Sequence, residues 1–194
     1  MAHRMVPELS SSELAGTRHV GDIPVAHTPP GGYGGNFPKP VLAGCIEPLV
    51  AGAPDLRGMW QVTGVEVKGK LAPKTHRAYR HFERVEQSGD RMVITGGGVI
   101  HDMRCDGTAE HGVNDVAARD FKTKLTVIAK YENGVHVLRP VVVGFRVRLL
   151  ARVLGYNLVV TRRRDGADMI WTYPTFTARL RRIGGPDAPP PTPQ

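Results

Sequence analysis

The side chains in this chain that are equipped for acid–base or metal chemistry are scattered rather than clustered. His81, His101, His111 and His136 fall within or beside strand-like stretches. An imidazole titrates near neutral pH and also ligates zinc or haem iron, so each is a candidate general base or ligand. Three of them facing inward on neighbouring strands would hold a metal, but sequence spacing does not show convergence across strands. The ordinary reading, exposed or hydrogen-bonded histidines, therefore stands, and no metal and no cofactor is assigned. If the protein is an enzyme, Tyr79, His81, His101 and Tyr173 are the acid–base candidates. No Gly-x-Ser-x-Gly, Cys/His pair or carboxylate dyad occurs at an informative spacing.

Other motifs are weaker than they first look. Gly96-Gly97-Gly98 lacks the lysine, hydroxyl and following helix of a phosphate cradle, and Val99-Ile100-His101 follows it instead, so it reads as a bend in a strand. Asp102, Asp106, Glu110, Asp115 and Asp120 do not match the ligand spacing of a calcium loop and read as an exposed loop at a barrel mouth. Arg162-Arg163-Arg164, with Arg179, Arg181 and Arg182, carries charge without the interleaved aromatics on which nucleic-acid bases stack; aromatics are only 6% of the chain. A solvated rim that attracts an acidic ligand is the preferred reading, and nucleic acid is not expected as a partner.

Composition sets the frame. A net charge of +8 in 194 residues tolerates anionic ligands. The length is that of one domain. Cys45 and Cys105 form neither a Cys-x-x-Cys pair nor a disulfide framework, and no stretch is an apolar leader or a membrane span. A cytoplasmic location is expected. A homodimer is compatible with the chain.

The elements that must position these residues are strands. Residues 1–54 form a Pro/Gly-rich extended arm, residues 55–183 the fold, and 184–194 a disordered tail. Within the arm, Val41, Leu42, Ile46, Leu49 and Val50 make an apolar patch that could pack as a lid or short turn at a barrel mouth. The first strand runs from Arg57 to Gly69: Trp60 and Val62 alternate with Gln61 and Thr63, and the beat slips at Gly64, as at a bulge. Further strands are expected over Arg77–Gln87, Arg91–Arg104, Phe121–Tyr131, Val135–Val143, Phe145–Val153, Tyr156–Arg164 and Met169–Ile183. In the second of these the inward set is open, with Tyr79, His81, Glu83 and Val85 on one face and Arg80, Phe82, Arg84 and Glu86 on the other. Phe145–Val153 also fits a helix. Turn signals at Gly89-Asp90, Asn133-Gly134 and Asp165-Gly166 join neighbours closely. Eight strands with short turns favour an all-β, eight-stranded antiparallel up-and-down barrel.

Gly58-x-Trp60 at the start of the first strand resembles the opening of the lipocalins and their calycin relatives. The resemblance implies a tryptophan closing one end of the barrel, with an arginine from the last strand, Arg179 or Arg181, packed across it. There is a more distant likeness to the nitrobindins, which bind haem, but the last strand here lacks their histidine, so haem is not expected. An eight-stranded barrel encloses one small molecule. The expected function is binding of a small hydrophobic or weakly acidic molecule, with Tyr79, Val93, Leu125, Val127, Ala129, Val137, Phe145, Val147, Leu149 and Met169 lining the lumen. The alternative is an isomerase, cyclase or hydratase acting on a hydrophobic substrate in the same barrel. A wholly apolar lumen would favour a carrier, and a polar cluster would favour chemistry.

Overall fold

A computed structural model describes residues 18–141, 153 and 157–191. The strands are β1 (Gly58–Val67), β2 (Lys70–Leu71), β3 (Phe82–Ser88), β4 (Arg91–Gly96), β5 (Val99–Arg104), β6 (Val113–Val116), β7 (Lys124–Glu132), β8 (Val135–Pro140), β9 (Val160–Asp165), β10 (Asp168–Tyr173) and β11 (Phe176–Gly184). They form one antiparallel sheet in the order β5-β4-β3-β1-β11-β10-β9-β8-β7-β6, with β2 added to β1. The sheet curls until its two end strands meet: the Arg104 N–H donates to the His111 carbonyl at 2.8 Å, and His101 Nε2 donates to the Val116 carbonyl at 3.1 Å. The result is an all-β, nearly closed barrel. Among the described residues no helix is long and apolar enough to cross a membrane.

The strand count exceeds the expected eight, for local reasons. Gly97 and Gly98 have φ of +59° and +88°, so Gly96-Gly97-Gly98 is a tight hairpin joining β4 to β5 rather than a bend in one strand. A Cβ on Gly98 would sit 2.7 Å from the Phe121 ring. Pro174-Thr175 likewise splits Met169–Ile183 into β10 and β11, which pair Tyr173 with Phe176. The polar loop after Asp106 contributes β6, and Arg77–Arg80 is a 3-10 turn rather than the start of a strand. Most of Phe145–Val153, including Phe145, Val147 and Leu149, lies outside the described residues.

The pairing of β1 with β11 shifts register between Val62 and Gly64, the bulge expected there. Skipping Thr63 keeps Trp60, Val62 and Val65 all on the inner face, packed with Val85, Ile94, Met169 and Leu180. Each such buried side chain contributes roughly 1.5–3 kcal/mol. Trp60 is fully buried at the end where β1 begins, its indole N–H donating to the Leu56 carbonyl at 2.8 Å. The arginine over its ring is Arg164 of β9, 5.1 Å from the ring centroid, and not Arg179 or Arg181 of β11. Alternation explains the difference: Leu180 faces inward, so Arg179 and Arg181 face out, and Arg179 binds Asp165 and Asp168 instead.

Residues 18–53 run with little regular structure over the outer face of β3, β4 and β5. Val20, Ile23 and Leu42 pack on Val93 and Ile100 as a second apolar cluster. Beneath them Arg91 is spent completely: Nε and Nη2 hold the Asp102 carboxylate, Nη1 donates to the Val20 and Ile23 carbonyls, and Nη2 to that of Pro24. Thr28 stitches the seam between the end strands. Its hydroxyl accepts from the Ile100 N–H at 3.0 Å, while its N–H and hydroxyl donate to Asp115 at 2.8 and 3.0 Å. The 41–50 patch is not a cluster over the mouth: Leu42 is buried in the outer layer, and Ile46 is 73% exposed.

Candidate functional site

The barrel interior is not wholly apolar. Successive strands place His136, Arg162 and Trp171 directly opposite one another, His136 against Arg162 across β8–β9 and Arg162 against Trp171 across β9–β10. Because strand side chains alternate, all three share the inner face with Leu138, Val160 and Met169. The sequence suggested a solvated rim for Arg162-Arg163-Arg164. Of these three arginines only Arg163 is on the outer face, while Arg162 is buried and Arg164 lies over the Trp60 ring.

Arg162 reaches across the interior to Glu83 of β3. Nε and Nη2 donate to Oε1 and Oε2 at 2.8 and 2.9 Å, a two-point ion pair with both partners almost fully enclosed. His81 adds a contact of 3.1 Å from Nε2 to Oε2. Burial pushes the Glu83 carboxyl up, but Arg162 and His81 outweigh it and hold the carboxyl well below the usual range. His136 is pushed down to about 3, chiefly by burial and then by the neighbouring Arg162 charge, so it is neutral at physiological pH. Burial also lowers His101. Tyr131, opposite His136, accepts from Gln87 Nε2 at 3.0 Å, and burial raises its phenol.

The interior also holds polar atoms without partners. Among the described residues, Arg162 Nη1, Trp171 Nε1 and both ring nitrogens of His136 are buried and make no hydrogen bond. His81 and Arg162 both lie against Trp171, at 4.8 Å between ring centroids and 5.2 Å from the guanidinium carbon to the ring. The arrangement brings several N–H donors, one neutral imidazole and one His–carboxylate pair together among apolar side chains.

Of the acid–base candidates, His81 belongs to this cluster, and His101 lies on the inner face of β5 with Nε2 committed to Val116. Tyr79 does not. It sits on the 3-10 turn, its hydroxyl donating to the Ala72 carbonyl and accepting from the Val65 N–H, both at 3.3 Å. Tyr173 is at the rim, 39% exposed and stacked on Phe176 at 5.2 Å. Of the lumen candidates, Ala129 and Met169 are in the inner core, Val127 packs against it, and Leu125 shares their face of β7. Val93 faces the other way, into the arm-covered layer, because Met92 and Ile94 take the inner positions of β4. Val137 is likewise on the face of β8 opposite His136 and Leu138.

Sequence reasoning missed Glu83, Arg162, Trp171 and the role of His136. The available signal was the alternation Val160-x-Arg162-x-Arg164 set against Met169-x-Trp171, which puts charge on a buried face. The partner across the barrel had no such signal. A surface groove of ≈ 400 Å³ runs beside the seam, but its charged walls Arg91, Asp102 and Asp115 already bind each other or the arm. Compared with known proteins, the chain matches no family model and no curated protein.

Proposed function

We propose that the barrel binds one small, largely apolar molecule, hydrophobic or weakly acidic, by an oxygen-bearing head group set among Arg162, Trp171 and His136. The observation that carries this reading is the set of buried polar atoms, Arg162 Nη1, Trp171 Nε1 and the His136 ring nitrogens, that have no partner among the described residues. Each such group costs on the order of 1–3 kcal/mol when left unmade, and a ligand oxygen relieves several at once. Met92, Met103 and Met169 on the inner face supply an adaptable wall for the apolar body. The nearly closed antiparallel barrel is compatible with a lipocalin- or calycin-like carrier. Cys45 and Cys105 are free thiols, which suits a reducing compartment such as the cytoplasm.

Native mass spectrometry of protein purified from its own cells tests the reading directly, since a retained adduct identifies the ligand class. With purified protein, dodecanoic acid is expected to change tryptophan fluorescence saturably at one equivalent. Trp171→Phe keeps an aromatic ring and removes the indole N–H, so binding, followed by calorimetry because the variant lacks the fluorophore at the site, should weaken about fivefold, the equivalent of one hydrogen bond near 1 kcal/mol. Absence of an adduct together with no saturable response to dodecanoic acid or dodecanol would overturn the proposal.

A further inference from the structure

Resting on the reading of the interior as a ligand site, we infer that His81 is a general base acting on an enolisable carbonyl compound bound there, with Glu83 as its positioning residue and Arg162 and Trp171 as the donors that receive the oxyanion. Four observations converge. First, His81 Nε2 lies 3.1 Å from Glu83 Oε2. Arg162 keeps that carboxylate ionised and it can only accept, so Nε2 carries the hydrogen and Nδ1 of the neutral ring is the basic nitrogen. Among the described residues Nδ1 makes no hydrogen bond.

Second, access differs across the pair. The His81 side chain is 19% exposed while that of Glu83 is 1% exposed, so the base is reachable and its orienting carboxylate is sealed. Third, the ring is held in place. It packs on Trp171, and a Cβ on Gly96 would lie 3.2 Å from its Cε1, so the β4–β5 hairpin closes tightly over its edge. Fourth, Arg162 Nη1 and Trp171 Nε1, unpaired and buried, are the kind of fixed donors that stabilise charge developing on a carbonyl oxygen. The other inward histidines lack this support: His101 Nε2 is bound to a carbonyl, and His136 has no orienting partner among the described residues. The charged group in contact with His81 is Glu83 of β3, whose carboxylate is in turn held by Arg162 of β9.

The step is balanced without a co-reactant. Nδ1 takes a proton from the carbon next to the carbonyl, the C–H pair becomes the carbon–carbon double bond of an enolate, and the carbonyl π pair moves to oxygen beside the two donors. The imidazolium, open to solvent at its exposed edge, trades that proton for a solvent deuteron and delivers the deuteron to the same carbon, giving exchange; delivery to the γ carbon of a β,γ-unsaturated ketone instead gives an isomer.

The probe is 2-tetralone in deuterated buffer, with α-deuteration followed by proton NMR and binding by tryptophan fluorescence. General-base catalysis should raise exchange about 10²-fold over buffer. His81→Gln, which still donates to Glu83, should drop it to background with binding retained. Glu83→Gln should lower the turnover of bound ketone at least tenfold with little change in its half-saturation, and circular dichroism checks that this variant is folded. Saturable binding with exchange no faster than buffer would overturn the inference and leave the ligand site standing, as would undiminished exchange in His81→Gln. Binding of dodecanoic acid but not of 2-tetralone would overturn the carbonyl class. If neither binds, the ligand-site reading falls and the inference with it.

Discussion

Arg162 on β9 and Glu83 on β3 are 79 positions apart in the chain, yet they share a two-point ion pair inside the barrel, with Nε–Oε1 at 2.8 Å and Nη2–Oε2 at 2.9 Å. Neither side chain has water to fall back on. Replacing one partner strands a charge in the interior, and that is the costly operation. Arg162→Met should therefore destabilise by about 3–5 kcal/mol, whereas Arg162→Met combined with Glu83→Leu should recover much of the loss. Urea melts of the two single variants and the double variant check this. Additive losses would show that the pair is not coupled.

Stability should fall as the solution is acidified, starting well above the carboxylate range. An imidazole whose folded value is below its unfolded one takes up a proton on unfolding. Its contribution is fully present above about pH 6.5 and is lost as pH falls towards the folded value. For His136 that value is about 3. The slope from this one buried group approaches about 1.4 kcal/mol per pH unit, and His101, also lowered, adds in the same direction. Glu83, held below its usual range, adds a further loss only once the unfolded carboxyl begins to protonate near pH 4.5. Denaturant melts between pH 7 and pH 4 should show this slope, and His136→Phe should flatten it.

The surroundings of Trp60 offer a contrast between arginines. Trp60→Ala should cost about 3–5 kcal/mol, as for other fully buried aromatics. Arg164→Ala, which removes the cation over the ring, should cost on the order of 1 kcal/mol, and Arg179→Ala, on the outer face, less than that. Thermal melts rank the three. A larger effect from Arg179 than from Arg164 would contradict the register of β11.

The arm gives a fourth test. Removal of residues 1–28 uncovers Val93 and Ile100 and takes away the Val20, Ile23 and Pro24 carbonyls that Arg91 uses. It also cuts the Thr28 link between β5 and β6. The truncated protein should melt at least several degrees lower and bind hydrophobic dyes, while removal of residues 1–17 alone serves as the control. Equal melting of the two truncations would mean that the arm rests on the barrel without stabilising it.

How much of this was legible beforehand depends on whether the determining contact is local. Trp60-x-Val62 with the slip at Gly64 and the Asn133-Gly134 hairpin are set by neighbours in sequence, and the structure has both. Gly96-Gly97-Gly98 reads as a bend from sequence because glycines mark bends and hairpins alike, and only the pairing of the flanks, Gly96 with Val99, tells them apart. Val93 looked like a lumen residue because apolarity marks burial and not which side is buried, and the arm buries the outside. The Glu83–Arg162 pair was invisible. Each residue alone looks like surface charge, and only closure of the barrel turns both inward.

The pairing of β1 with β11 joins Met59 to Gly184, the first strand of the barrel to the last. A ribosome must finish β11 before β1 has its partner on that side, so the first strand made is among the last to be secured. Until then β1 presents an open edge, and Val20–Thr28 of the arm wait for β4, β5 and β6 to be synthesised. Loop closure on this scale is slow, and folding in the millisecond-to-second range typical of non-local β topologies is the kinetic consequence.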